Sequence, residues 1–184
     1  MPHFLLVLLC LLPGSPGALD TVSYTVPLII SDAGGHRSAI TFGVHPDATY
    51  GFDKALGEAP LPPPPPVQTF AICFLDPRGR KTPYPGSAAY LDLRPYVSTV
   101  QADTYYVHLK TSGDAYPMTI SWPVKLKEVV DSAVVVLNRD GARVCVNMVE
   151  SRSVQVMDES VNTCTVITYG VKPHVKKIRG KGTD

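Results

Sequence analysis

From residue 21 to residue 31, apolar and polar side chains alternate. Val22, Tyr24, Val26, Leu28 and Ile30 share one side, and Thr21, Ser23 and Thr25 share the other. A period of two with many β-branched residues predicts a half-buried strand. Pro27 has no N–H to give to a ladder, so the pattern places this strand at a sheet edge. The alternation returns at residues 38–44 through Ile40, Phe42 and Val44, and at 67–75 through Phe70, Ile72 and Phe74. Short strands follow around Leu91 and Leu93, around Tyr105, Val107 and Leu109, and around Met118, Ile120 and Trp122.

The clearest local signal lies further on. Residues 132–137 and 142–149 are β-branched runs separated by Asn138-Arg139-Asp140-Gly141, a hairpin loop in which Gly141 can take the left-handed position. Residues 154–157 and 163–171 complete about ten strands, and only residues 125–131 suit a helical turn. Strands recurring at roughly 8–12 residues with turn signals between them indicate a sandwich or barrel. The predicted fold is an all-β antiparallel sandwich, immunoglobulin-like in general form. A long loop over residues 45–66, with prolines at 60 and 62–66, straps across it.

The first 18 residues lie outside this pattern. Phe4 to Leu12 is uncharged and apolar, and Pro13-Gly14-Ser15-Pro16-Gly17-Ala18 follows, as in the core and cleavage region of a secretion signal. Cleavage is expected after Gly17 or Ala18. The run is shorter than the about 20 residues of a transmembrane helix, and no later run is longer. The expected organisation is a signal at 1–18, a domain at 19–171 and a basic tail at 172–184.

Charge changes the picture only at that tail. Lys172, Lys176, Lys177, Arg179 and Lys181 against Asp184 give it +4, which leaves the remainder at −3 within a net charge of +1. A mildly acidic body with a basic end argues against a nucleic-acid binder. Export to an oxidising compartment permits disulfides, and the three cysteines after the signal allow three single bridges. Cys145 with Cys164 is the first choice, since both lie in the last strands.

The stretch Phe42-Gly43-Val44-His45-Pro46-Asp47-Ala48-Thr49-Tyr50-Gly51-Phe52-Asp53, followed by Glu58 and the proline run, resembles a β-sandwich domain of secreted and surface proteins of Bacteroidetes, Chlorobi and related bacteria. Many of those proteins look like type IX secretion cargo. Tyr90-Leu91-Asp92-Leu93-Arg94 and Pro117-Met118-Thr119-Ile120-Ser121-Trp122 extend the resemblance. It implies a surface or matrix module rather than an enzyme.

Candidate chemistry is sparse. Asp47, Asp53 and Glu58 are hard oxygen ligands in one loop and form the candidate calcium site, although ordinary turn chemistry accounts for them as simply. Tyr50, Phe52 and Tyr84 flank the proline-rich loops and are candidate contacts for a sugar or a protein. The histidines fall in no nucleophile or metal motif. The expectation is therefore a secreted, non-catalytic structural or adhesive subunit at the cell surface. It would act through protein partners and homo-oligomerise, with Val22, Tyr24, Val26, Leu28 and Ile30 as an assembly strand exchanged into a fibre or layer. A carbohydrate-binding module is the alternative.

Overall fold

The computed structural model describes residues 22–62, 69–75, 88–123, 125–139, 142–157 and 159–172. The expected signal, the proline run from Pro63, Tyr84 and the tail after Lys172 lie outside the described residues. So do Asp140 and Gly141 of the hairpin loop.

Two sheets pack face to face, as the alternation requires. In chain order the strands are β1 (Tyr24–Ser31), β2 (Arg37–His45), β3 (Ala71–Leu75), β4 (Ala88–Ala89), β5 (Leu91–Pro95) and β6 (Ala102–Lys110). They continue with β7 (Met118–Ser121), β8 (Val130–Arg139), β9 (Ala142–Asn147), β10 (Ser153–Val156) and β11 (Thr163–Val171). One sheet runs β10-β7-β1-β2-β5 and the other β4-β3-β6-β11-β8-β9. Every pairing is antiparallel except β2 with β5. The fold is an all-β sandwich. The expected helical turn shrinks to Leu126–Val129, which leads straight into β8.

The inward-facing residues are the ones the alternation selects. Val22, Tyr24, Val26, Leu28 and Ile30 are buried, as are Ile40, Phe42 and Val44 opposite them. The second sheet contributes Ile72, Phe74, Tyr105, Val107, Leu109, Val135, Leu137, Cys164 and Val166. Tyr105 stands at the centre, its ring 4.8 Å from that of Phe42 and 6.3 Å from that of Phe74. Trp122 is core, and its Nε1 donates to the Met148 and Ser151 carbonyls, which ties the turn after β9 to the opposite sheet.

β1 is not an edge strand. β2 pairs with its whole length and β7 with Ile29–Ser31. The reason Pro27 is tolerated lies in the ladder. Thr41, opposite Pro27, donates its N–H away from β1 to the Tyr90 carbonyl at 2.8 Å. Opposed residues in an antiparallel pair both point inward or both outward. Position 27 therefore aims its missing N–H away from β2, at a stretch β7 does not reach. Gly43 in β2 is dictated by the same close approach, since a Cβ there would strike the Tyr24 carbonyl.

Candidate functional site

β5 carries a charge pair on its inward side. The parallel register sets Asp92 opposite Phe42 and Arg94 opposite Val44, so both face the sandwich interior. Arg94 is 3% exposed, and its Nη2 donates to Asp92 Oδ2 at 2.8 Å. Its guanidinium lies 5.2 Å from the centroid of the Tyr105 ring and 5.9 Å from that of Tyr50, which covers it from outside. Such stacking suits a partly desolvated guanidinium. Gln101 joins the group: its Nε2 donates to Asp103 Oδ2 at 2.6 Å and to the Pro95 carbonyl at 2.7 Å.

Burial dominates the titration of these groups. It pushes Asp92 up to about 7, against the pull of Arg94 and reinforced by Glu58 and Asp103. Burial also raises Asp103, opposed by the Gln101 bond and Arg94. The Tyr24 phenol is pushed up to about 12, again by burial. Among the described residues Arg94 Nε is buried without a hydrogen-bond partner, while the buried Tyr24 and Thr168 hydroxyls lie near each other. The cluster fastens β5 and β6 across the sandwich. Asp92, Arg94, Gln101 and Asp103 are all buried, whereas Tyr50 beside Arg94 is 54% exposed.

A second polar group organises the β1–β2 turn. Asp32 Oδ2 accepts from Thr111 Oγ1 at 2.6 Å and lies 2.9 Å from His36 Nδ1, while Oδ1 accepts the His36 N–H. Burial would raise Asp32, but the Thr111 and His36 bonds outweigh it and hold the carboxyl low. His36 stacks on Phe70 with centroids 5.6 Å apart. An Asp–His pair of this kind can orient an imidazole, but each of its bonds also closes the hairpin turn.

The four sheet edges differ more than the interior does. At β5 the Leu93 N–H is taken by Glu58 Oε1, and the other oxygen of Glu58 accepts Asp53 N–H at 2.7 Å. At β4 the Ala88 carbonyl is taken by the Leu61 N–H at 2.8 Å. β10 is four residues long. β9 is six residues long, and among the described residues nothing hydrogen-bonds to Arg143 or Cys145 from outside. It also overhangs the opposite sheet. Val144 is on the inward side opposite Leu137, yet Val144 is 45% exposed and Leu137 only 4%. Natural edges are blunted by charged side chains, proline, bulges or covering loops. Among the described residues this strand has the single charge of Arg143, and the turn after it reaches only its last residue, where the Ser151 N–H donates to the Asn147 carbonyl at 2.9 Å.

The expected site residues are distributed as follows. Asp47, Asp53 and Glu58 do not converge. Glu58 is 3% exposed and caps the β5 edge, while both Asp53 oxygens accept from Thr49. The Asp47 side chain is 83% exposed. No group of three His, Cys, Asp or Glu side chains placed to hold a metal ion occurs among the described residues. The Cys145–Cys164 bridge is excluded, and Cys73, Cys145 and Cys164 are all free. β8 lies between the two strands, with Leu137 beside Cys164 and Val136 beside Cys145. Strands two apart are separated by about 9–10 Å, beyond the roughly 7 Å limit for a disulfide. Cys164 also faces the core while Cys145 faces outward.

Tyr50 packs over Arg94, Phe52 is half-buried, and Tyr84 lies outside the described residues. Sequence reasoning missed the Asp92–Arg94 pair. Its signal was available: charges at i and i+2 of a strand share one side, and here that side is the core. No protein-family model, curated protein sequence or solved structure matches this chain.

Proposed function

We propose that the chain is a secreted, non-catalytic structural or adhesive subunit. It works through protein–protein contact at the free edge of β9, not by exchange of its N-terminal strand. One observation carries this reading: among the described residues the outward backbone groups of Arg143 and Cys145 on β9 have no partner, while Glu58 and Leu61 close the edges at β5 and β4. An open row of N–H and C=O groups flanked by Val144 and Val146 suits strand addition by a partner. The expected export signal and the resemblance to surface modules support an extracellular setting. The interior position of β1 argues that Val22, Tyr24, Val26, Leu28 and Ile30 serve this domain's own core.

Among the described residues calcium has no convergent ligand set in support. No helix among the described residues is long and apolar enough to cross a membrane. In this reading the β9 contact itself holds the protein at the surface. In cells that export the protein, a Cys145→Pro chain should be secreted at the wild-type level but shed into the medium. Equal surface retention of wild type and variant would reject the reading.

One observation favours carbohydrate as a second reading. The outer face of the larger sheet exposes Tyr106 at 44% and Tyr169 at 48%, with Ile167 between them. Aromatic side chains on a flat sheet suit stacking on a polysaccharide. Retention on insoluble polysaccharide that falls in Tyr106→Ala and Tyr169→Ala would support it, and passage through unretarded would end it.

A further inference from the structure

The ladder fixes which groups of β9 face outward. Met148, the next residue in register after Asn147↔Val134, donates its N–H inward to the Ala133 carbonyl at 2.8 Å. Direction alternates along an antiparallel strand, so Val144 and Val146 point their backbone groups to β8. Arg143 and Cys145 point theirs to the open side, as does Asn147, whose carbonyl already accepts the Ser151 N–H at 2.9 Å and keeps one lone pair for a further donor. Side chains alternate too. Arg143, Cys145 and Asn147 lie on the outer face with Asn138, Val136 and Val134, while Val144 and Val146 lie on the inner side with Leu137 and Val135.

We propose that the occupant of this edge is a second copy of the chain, paired antiparallel about a two-fold axis through Cys145. The proposal rests on the edge reading above and names its partner. Two identical strands can pair this way only in registers that bring outward-facing residues opposite one another. Centring on Cys145 does so, and it makes β9 complementary to itself. Arg143 meets Asn147 of the second copy, Val144 meets Val146, and Cys145 meets Cys145. Each guanidinium faces a side-chain amide instead of another guanidinium, and each exposed Val144 gains an apolar neighbour. Centring on Val144 would instead set Arg143 against a thiol. The two larger sheets would join into one continuous sheet.

The contact is isologous and closes at two copies, so it does not by itself build a fibre. Five paired residues a side make a small interface, below the about 1,200 Å² of the weakest stable complexes, so the dimer is a weak one that a crowded surface would populate.

Sedimentation of the full chain from micromolar to millimolar concentration, with mild copper–phenanthroline oxidation in parallel, tests this. Opposed residues of a hydrogen-bonded pair have Cα atoms about 5.5 Å apart, within disulfide reach. Copper(II) would take the two electrons and the two thiols would lose their protons. A concentration-dependent dimer, trapped through Cys145 alone, is the expected result. Arg143→Pro keeps the thiol but blocks the outward donor, and should abolish both the dimer and the cross-link with an unchanged circular dichroism spectrum.

Register is tested separately. Asn147→Asp retains the acceptor that Asn147 Oδ1 offers to Val149 N–H and places a carboxylate against Arg143. It should tighten association roughly three- to ten-fold, because two symmetry-related pairs change at once. Asn147→Arg should weaken it by a similar factor. A chain that stays monomeric at millimolar concentration overturns the proposal, as does a dimer indifferent to Arg143→Pro or a cross-link through Cys73. Slow amide exchange at Arg143 and Cys145 in a dilute monomer also overturns it, by showing that the chain covers its own edge. If self-association fails while Cys145→Pro still sheds the protein from cells, the edge binds a different protein and only self-pairing is wrong. If both fail, the edge reading falls with it.

Discussion

β1 and β9 have similar sequence character and opposite positions in the fold. Each alternates β-branched apolar residues with polar ones, and each is short and nearly uncharged. β1 is flanked by β2 and β7, and its inward residues are almost wholly buried. β9 ends its sheet, and its inward-facing Val144 remains 45% exposed. Alternation decides which side of a strand is apolar. Whether that side is covered depends on where the opposite sheet runs out, and non-local pairing sets that.

The largest test of this difference is truncation. Leu28→Ala in β1 removes a fully buried side chain and should cost about 2–5 kcal/mol, depending on how far the site collapses. Val144→Ala in β9 should stay within about 0.5 kcal/mol, as exposed substitutions do. Urea titration of both variants measures the gap. Equal losses would mean that β9 is covered in solution.

A proline walk sharpens the comparison within β9 itself. Val144→Pro removes an N–H aimed at β8 and leaves the Leu137 carbonyl without its donor, at a cost of about 1–3 kcal/mol. Cys145→Pro removes an outward N–H and should cost less than about 1 kcal/mol, since edge strands accept proline on their open side. Reversed losses would mean that the outward groups are those of Val144 and Val146. Pro27 is nature's version of the same experiment in β1.

That proline shows what was legible in the sequence and what was not. The inward set of β1 could be read directly, because period two is a local property. The interior position could not. Proline marks a ladder position without a donor, and an interior strand has such a position wherever its neighbour stops short, as β7 does at Ile29. The cysteines fail for a related reason. Cys145 and Cys164 are close in sequence, but one intervening strand and one step of parity put them on opposite faces. Glu58 was visible as a carboxylate in a loop. Its role as a cap on β5 depends on a contact 35 residues away, which no local pattern encodes.

β5 is the third edge in the comparison, closed by Glu58 on the outside and anchored by the Asp92–Arg94 pair inside. Its anchoring should show in the pH dependence of stability. Asp92 has a folded value of about 7 against an unfolded 3.8, so the native state holds a proton that the unfolded state has lost. Its contribution is complete below about 4 and disappears as pH rises through about 7. Asp103, raised likewise by burial, acts in the same direction. His108, lowered by burial and by Lys110, opposes them, because the unfolded state gains a proton there as pH falls. The difference between wild type and Asp92→Asn therefore isolates the Asp92 contribution. Melting between pH 4 and 7 should show stability declining more steeply with rising pH in wild type than in the variant. Parallel profiles would show that Asp92 is ionised throughout.

The smallest expected effect on stability is that of reduction, and the thiols report the β1–β9 contrast without perturbing either strand. With no bridge among Cys73, Cys145 and Cys164, dithiothreitol should leave the melting temperature of freshly purified, unoxidised protein unchanged. Labelling should nevertheless divide the three. Cys145 stands exposed on β9 and should react with iodoacetamide at once. Cys164 is buried in the core, where desolvation pushes its thiol up to about 12. Cys73 is buried beneath Leu61, and desolvation pushes it up to about 11. The attacking species is the thiolate, so both should stay unlabelled at pH 8 until the chain unfolds. Mass spectrometry of briefly labelled native protein should therefore find one modification, on the peptide containing Cys145. Prompt labelling of Cys164 would show that the larger sheet opens at β11. A protected Cys145 would show that something already occupies the outer face of β9.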